Sequence, residues 1–289
     1  MSFGRKRDRH AAEGAAGELE SMLRAIVQMT GDPQLDTWDV RQSREAQSGD
    51  TDAMIRLGVS LLDQGRTEEA AQQFRRAAEL DSPQAMYNLS VVLKRMGQEG
   101  EAVQWQRRAA DRGYAHAMTQ EGFSAAEGNR MDEAKRWLRG AAEQGDVLGM
   151  AGLGTVLLDG GPTAEAEKWL RAAADKGNRS AMYNLASLTQ RAGREAEAEQ
   201  WYRRAADQGH PQAMNNLGNI LRHSDRAADA EQWYRRSAEA GEPMGMLNLG
   251  EVLERSRPQE AVQWYQQAAA KGSAKAAAHL RRMQSGGRG

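Results

Sequence analysis

Asn178–Gly209 reads NRSAMYNLASLTQRAGREAEAEQWYRRAADQG, and the chain repeats this stretch along most of its length. Its landmarks are Ala181, Met182, Leu185, Gly193, Ala198, Trp201, Tyr202, Ala205, Ala206 and Gly209. One constant step leads from Met182 to Met214 and Met246, and backwards to Met150, Met118, Met86 and Met54. Gly113, Gly145, Gly177, Gly209 and Gly241 keep the same step, as do Trp105, Trp137, Trp169, Trp201 and Trp233. The last unit is one residue short near Arg257-Pro258, so its landmarks are Trp264 and Gly272. A fixed period in the range of about 20–50 residues marks a solenoid or an array.

Each unit reads as two short amphipathic helices. Met214, Leu217 and Leu221 follow steps of three and four, which place them on one helical face. Met54, Leu57, Leu61 and Met246, Leu249, Leu253 repeat that face. The second helix carries Ala198, Trp201 and Ala205, repeated as Ala166, Trp169 and Ala173. Between the faces lie breakers such as Gly160-Gly161-Pro162 and Gly193, which stop one helix and let the chain reverse. The glycine after the second helix, Gly209 for example, fits a left-handed C-cap. The alanine pairs allow close helix approach, and one Trp per unit is expected to fill the wider gap. A single hairpin cannot bury its own apolar face, so stability is expected to sum over units and their interfaces.

The pairing of AMNNLG (Ala213–Gly218) with WYRRSAEAG (Trp233–Gly241) resembles the Sel-one-like repeat, a branch of the tetratricopeptide-type helical repeats. The resemblance recurs seven times in register over about four-fifths of the chain. It implies an all-α fold, an α-solenoid in which antiparallel helix pairs stack into a right-handed superhelix. The 32-residue period is shorter than the tetratricopeptide value of about 34. Glu121 and Thr189 depart from the apolar pattern, and the first unit has Gln73-Phe74 in place of Trp-Tyr.

The expected organisation has four parts. Residues 1–17 read as a disordered basic tail, residues 18–50 as a degenerate capping repeat, residues 51–275 as the seven regular units, and residues 276–289 as a capping helix and tail. End units differ from the rest because one of their faces meets solvent. The net charge of −1 argues against a generally nucleic-acid-binding surface, and none is expected as a partner. There are no cysteines, hence no disulfide and no thiolate site. No apolar run approaches the roughly 18 residues of a membrane span, and no secretory leader is evident, so the cytoplasm is the expected compartment.

Catalytic and metal motifs are absent. The five histidines, His10, His116, His210, His223 and His279, show no metal-ligand spacing, and no GxSxG, P-loop or GxGxxG occurs. Neither an enzyme nor a cofactor is expected. The methionine ladder sits on an apolar face and reads as core. Arg75, Arg107, Arg139, Arg171, Arg203 and Arg235 form a second ladder. Such a ladder can follow phosphates, but Glu167, Glu199 and Glu231 precede three of its members by four residues, which suits salt-bridged helix surfaces.

The third ladder is asparagine. Asn184, Asn216 and Asn248 share one first-helix position in three successive units, with Asn88 isolated, whereas Arg56, Gln120 and Gly152 occupy it elsewhere. The resemblance implies that first helices line a concave face where asparagine contacts a bound peptide. Independently, an amide offers both a donor and an acceptor to a peptide unit. The same residues would equally serve as braces to a neighbouring unit. Asn219, Arg222, His223 and Arg191 lie beside them and would favour an acidic segment or a terminal carboxylate. The sequence therefore predicts a scaffold or adaptor that holds a protein or peptide through its concave face. A ligand-responsive regulatory sensor and an RNA-binding solenoid are the alternatives.

Overall fold

The computed structural model describes Ala46 and residues 49–158, 160, 163–223 and 226–286. The expected basic tail and nearly all of the expected N-terminal capping repeat lie outside the described residues. In chain order the helices are α1 (Thr51–Asp63), α2 (Thr67–Glu79), α3 (Pro83–Arg95), α4 (Glu99–Asp111), α5 (Ala115–Glu127), α6 (Met131–Glu143), α7 (Val147–Leu158), α8 (Ala164–Asp175), α9 (Arg179–Arg191), α10 (Glu195–Asp207), α11 (Pro211–His223), α12 (Ala227–Glu239), α13 (Pro243–Leu253), α14 (Pro258–Ala270) and α15 (Ala274–Gly286). Among the described residues these fifteen helices are accompanied by no strand. Odd-numbered helices are the first members of the repeats and even-numbered helices the second. The chain divides into two compact units, one running to Glu121 and the other Gly122–Gly289. Within each, helices pack against their chain neighbours, as the fold class requires. In the second unit, first helices of adjacent repeats also touch, α7 against α9 and α11 against α13.

Local chemistry sets the helix ends. The side chains of Asp50, Ser82, Thr163 and Asn178 accept a first-turn amide at the N-termini of α1, α3, α8 and α9. After most second helices, glycine takes a left-handed conformation, as at Gly209 (φ 83°). Asp81 (φ 72°) and Asn129 (φ 56°) do the same work. They stand one period after Gly49 and Gly97, and are side chains that tolerate this region.

The core corrects one expectation. Among the ladder tryptophans only Trp201 is buried, whereas Trp105, Trp137, Trp169, Trp233 and Trp264 are half-buried. The centre of six of the seven repeats is the next residue: Phe74, Leu138, Leu170, Tyr202, Tyr234 and Tyr265 are all at most 1% exposed. Several face the first helix of their own repeat at a small residue. A Cβ added to Gly58 would lie 2.5 Å from Phe74, one on Gly122 2.5 Å from Leu138, and one on Gly218 2.6 Å from Tyr234. The indole instead lies along the helix surface. Its Nε1–H donates to the glutamate four residues earlier in Trp105–Glu101 (3.1 Å) and Trp137–Glu133 (3.3 Å), and arginine stacks on Trp105, Trp201 and Trp233. The methionine ladder is buried at six of its seven positions, Met118 being half-buried.

Helix α15 is the last described helix. Ala276 is buried, but Arg281 falls at the register of Gly218 and Gly250, where a further second helix would need a small residue. An exposed arginine there suits a solvent-facing end.

Candidate interaction surface

The two faces of the repeats differ in how their charges are spent. On the second helices every ladder arginine is ion-paired, and most pairs cross from one repeat to the next. Arg75 meets Glu101 (2.7 Å), Arg107 meets Glu121 (3.0 Å), Arg139 meets Glu165 (2.8 Å), Arg171 meets Glu197 (2.5 Å), Arg203 meets Glu199 (2.8 Å) and Arg235 meets Glu260 (2.6 Å). A second set starts the second helices: Arg194, Arg226 and Arg257 reach back to Glu167 (2.7 Å), Glu199 (3.1 Å) and Glu231 (2.5 Å) of the preceding repeat. This set was not recognised in the sequence, although its offset repeats as regularly as the tryptophans. The Arg194 guanidinium bonded to Glu167, with Arg171 beside it, holds that carboxyl at about 2 against an ordinary 4.5. Arginines committed in this way are not available to follow a phosphate backbone.

The asparagines lie on the first helices of the second unit and are held in a hydrogen-bonded chain. Asn248 is buried, and its Nδ2 donates to Asn215 Oδ1 (2.8 Å) and Asn219 Oδ1 (3.2 Å). Asn219 Oδ1 also accepts from the Tyr234 hydroxyl (2.8 Å). Asn215 donates to Asn216 Oδ1 (3.3 Å), Asn216 donates to the Tyr202 oxygen (3.1 Å), and Tyr202 donates to Gln190 Oε1 (3.0 Å). The half-buried Asn184 donates to Thr155 Oγ1 (2.9 Å) on the preceding first helix. Burial pushes the Tyr234 phenol up to about 12, so it stays a donor at neutral pH.

Part of this chain answers the tyrosines of the same repeats. The second-helix core residue is tyrosine only there: Tyr202, Tyr234 and Tyr265, against Phe74, Leu138 and Leu170 elsewhere. Each buried phenol needs a partner for its hydroxyl. Gln190 and Asn216, then Asn219, then Glu254 (2.9 Å from the Tyr265 hydroxyl) provide one. Asn216 thus meets a phenol directly and Asn248 joins through Asn219, so these two have structural work in those repeats, whereas Asn184 bonds Thr155 and lies outside the chain.

The cations beside the asparagines divide. Arg222 is ion-paired with Glu251 at 3.4 Å. His223 donates Nδ1–H to the Asn219 carbonyl (2.7 Å) and is exposed. Arg191, His223 and Arg255 occupy one register position, the first two closing α9 and α11 and the third in the turn two residues past α13; all are exposed and make no ion pair among the described residues. No group of three metal-ligating side chains occurs among the described residues, and no helix of theirs is long and apolar enough to cross a membrane.

Comparison with known proteins assigns the class. Tetratricopeptide-repeat profiles match residues 55–117, 151–211 and 212–242, and the Sel1-repeat profile matches residues 120–146 and 243–273. The chain belongs to the tetratricopeptide and Sel1 family of helical-repeat proteins. Its fold is similar to that of a Sel1 repeat protein from Oxalobacter formigenes, at 25% identity and a TM-score of 0.66, over 98% of this chain and 92% of that one. It is also similar to the pilF protein of Pseudomonas aeruginosa, at 22% identity and a TM-score of 0.53, over 76% of this chain and 97% of that one. No curated protein matches the chain. Repeats of this type generally mediate protein–protein interactions and are typically non-enzymatic.

Proposed function

We propose that this protein is a non-catalytic scaffold or adaptor, and that the first-helix face between residues 147 and 255 receives a protein or peptide segment. One observation carries this: Arg191 and His223 at the ends of two successive first helices, and Arg255 in the turn just after the third, stand exposed without ion pairs among the described residues, while the arginine ladder of the second helices is neutralised. A surface whose job is only stability has no use for open cations in register. Asn184, half-buried at the edge, reaches a ligand directly with Arg191 and His223. Asn216, Asn219, Asn248 and Arg222 act from behind, fixing the helices that present them. Such preorganisation raises affinity because less order is lost on binding.

The test is positional. A photo-cross-linkable residue at Ser187 or Gln212, on first helices, traps a cellular partner. The same residue at exposed Gln200 or at Gln232, on second helices, does not. Equal trapping from both faces, or trapping from the second helices alone, removes this assignment.

A further inference from the structure

Taking the first-helix face as the docking surface, we infer that its ligand is an extended acidic segment with a carboxylate at every third residue, read by Arg191, His223 and Arg255. The inference rests on that face being the binding face and adds the spacing and the charge of what lies on it.

The spacing comes from the repeat. The three side chains sit one period apart, Arg191 to His223 and His223 to Arg255, so they recur once per repeat along adjacent first helices. Packed helices stand about 8–10 Å apart. A segment in the extended polyproline II conformation advances about 3.1 Å per residue with three residues per turn, so three residues cover about 9 Å and bring the side chain back to the same face. A segment laid across the first helices thus brings its first, fourth and seventh side chains to successive cations. A spacing of two or four residues falls out of step by the second contact. Guanidinium and imidazole N–H groups donate to carboxylates, and arginine does so with two parallel N–H bonds.

The charge comes from the same position elsewhere. Asp63 and Glu127 occupy this register in other repeats, both exposed at a helix end. Arg95 stands there too, but as a single cation between those two acidic repeats in the sequence. Cations are favoured at helix C-termini in general, but the fold evidently accepts carboxylates there as well. The helix end therefore does not impose a cation on three repeats in succession. Glu251 stands on the first helix of the last regular repeat. Arg222 pairs with it, so it does not oppose an acidic ligand.

The experiment uses the full chain and dye-labelled peptides in a Gly/Ser/Ala background, each with three glutamates. They are separated by one, two or three intervening residues, and binding is read by fluorescence anisotropy at low salt. The peptide with two intervening residues is expected to bind about tenfold more tightly than the other two. Arg191→Gln and Arg255→Gln each weaken it about two- to fivefold, the range of an exposed ion pair. Far-ultraviolet circular dichroism checks that both variants stay folded. Arg191→Glu combined with Arg255→Glu is expected to transfer binding to the lysine version of the same peptide. If all three spacings bind equally and depend on the arginines, the spacing inference fails while the face stands. If no acidic peptide binds, or binding ignores the substitutions, the acidic ligand is overturned, and cross-linking from Ser187 reports separately whether the face survives. A polyuridine strand that binds more tightly than every peptide and loses affinity with the same arginines overturns it in favour of nucleic acid.

Discussion

Asn248→Ala separates bracing from ligand contact most sharply. The side chain is 7% exposed and donates two hydrogen bonds, to Asn215 and Asn219. Each is worth about 0.5–1.5 kcal/mol, which gives about 1–3 kcal/mol. The losses are unequal in what they leave behind. Asn219 Oδ1 keeps the Tyr234 hydroxyl as a donor. Asn215, 6% exposed, loses the donor to its Oδ1, and a buried acceptor left unpaired adds about 1 kcal/mol or more. The expected total is about 2–4 kcal/mol. Asn216→Ala removes a half-buried link to Tyr202, whose hydroxyl still donates to Gln190, and is expected to cost about 1–2 kcal/mol. Asn184→Ala breaks one bond to the exposed Thr155 and is expected to cost about 0.5 kcal/mol. Urea unfolding followed by tryptophan fluorescence gives the order. Hydrogen exchange then locates the loss: for Asn248→Ala it falls on α11 and α13 before it falls on α7. An equal cost at all three asparagines, or less than about 1 kcal/mol at Asn248, would refute the bracing chain.

Gly218→Ala places a Cβ 2.6 Å from the Tyr234 ring and is expected to destabilise by about 1–3 kcal/mol, measured by urea unfolding. Trp201→Ala is expected to cost about 3–5 kcal/mol, and the same change at the half-buried Trp264 distinctly less; comparable costs in thermal melts refute the asymmetry. Glu167 titrates near 2 in the folded chain, below its ordinary 4.5. Its contribution is therefore complete above about pH 4.5 and is lost as pH falls through that value towards about 2. Arg194→Met removes the largest cause and is expected to flatten the acid limb of the urea midpoint over that window. Glu121→Leu alone leaves Gln106 without its acceptor, whereas adding Gln106→Leu restores an apolar pair. The double variant is expected to be at least about 1 kcal/mol more stable than the single one, and additivity of the two changes refutes the coupling.

The period, the helix pairs and the methionine face were legible because steric demands recur at every turn of the stack. The core aromatic was misplaced by one residue for a definable reason. At about 100° per residue, Trp201 and Tyr202 flank the Ala198–Ala205 line on opposite sides, each about 40° from the nearer alanine, so periodicity alone does not choose between them. The choice lay in a comparison across repeats: the tryptophan position becomes polar Gln73 in the first unit, whereas the next position stays Phe, Leu or Tyr in six of seven. Asp81 and Asn129 were hidden because glycine was expected at a left-handed position, although stepping one period from Gly49 and Gly97 reaches them. The asparagine ladder was visible, but its cause was not. Asn219 meets the hydroxyl of Tyr234 on the following helix, and no helical periodicity connects those positions.

Gln106 and Glu121 show the same logic at the place where the pattern looks most damaged. In isolation each is a defect: an amide where the other second helices bury Phe, Leu or Tyr, and a carboxylate where most other first helices bury leucine. The structure turns them towards each other. Gln106 donates to one oxygen of Glu121 at 2.9 Å and Arg107 to the other at 3.0 Å, so both carboxylate oxygens are engaged. A polar residue entering a core position costs about 1–3 kcal/mol when unpaired, and much less when its partner enters with it. In a linear stack each core position faces only its neighbours, so such an exchange stays local and need not disturb distant repeats. The tyrosines of the later repeats and their asparagine and glutamate partners follow that rule too. What varies from one repeat to the next is thus governed in pairs across helices. Arg191, His223 and Arg255 have no such pair among the described residues and stand exposed to solvent.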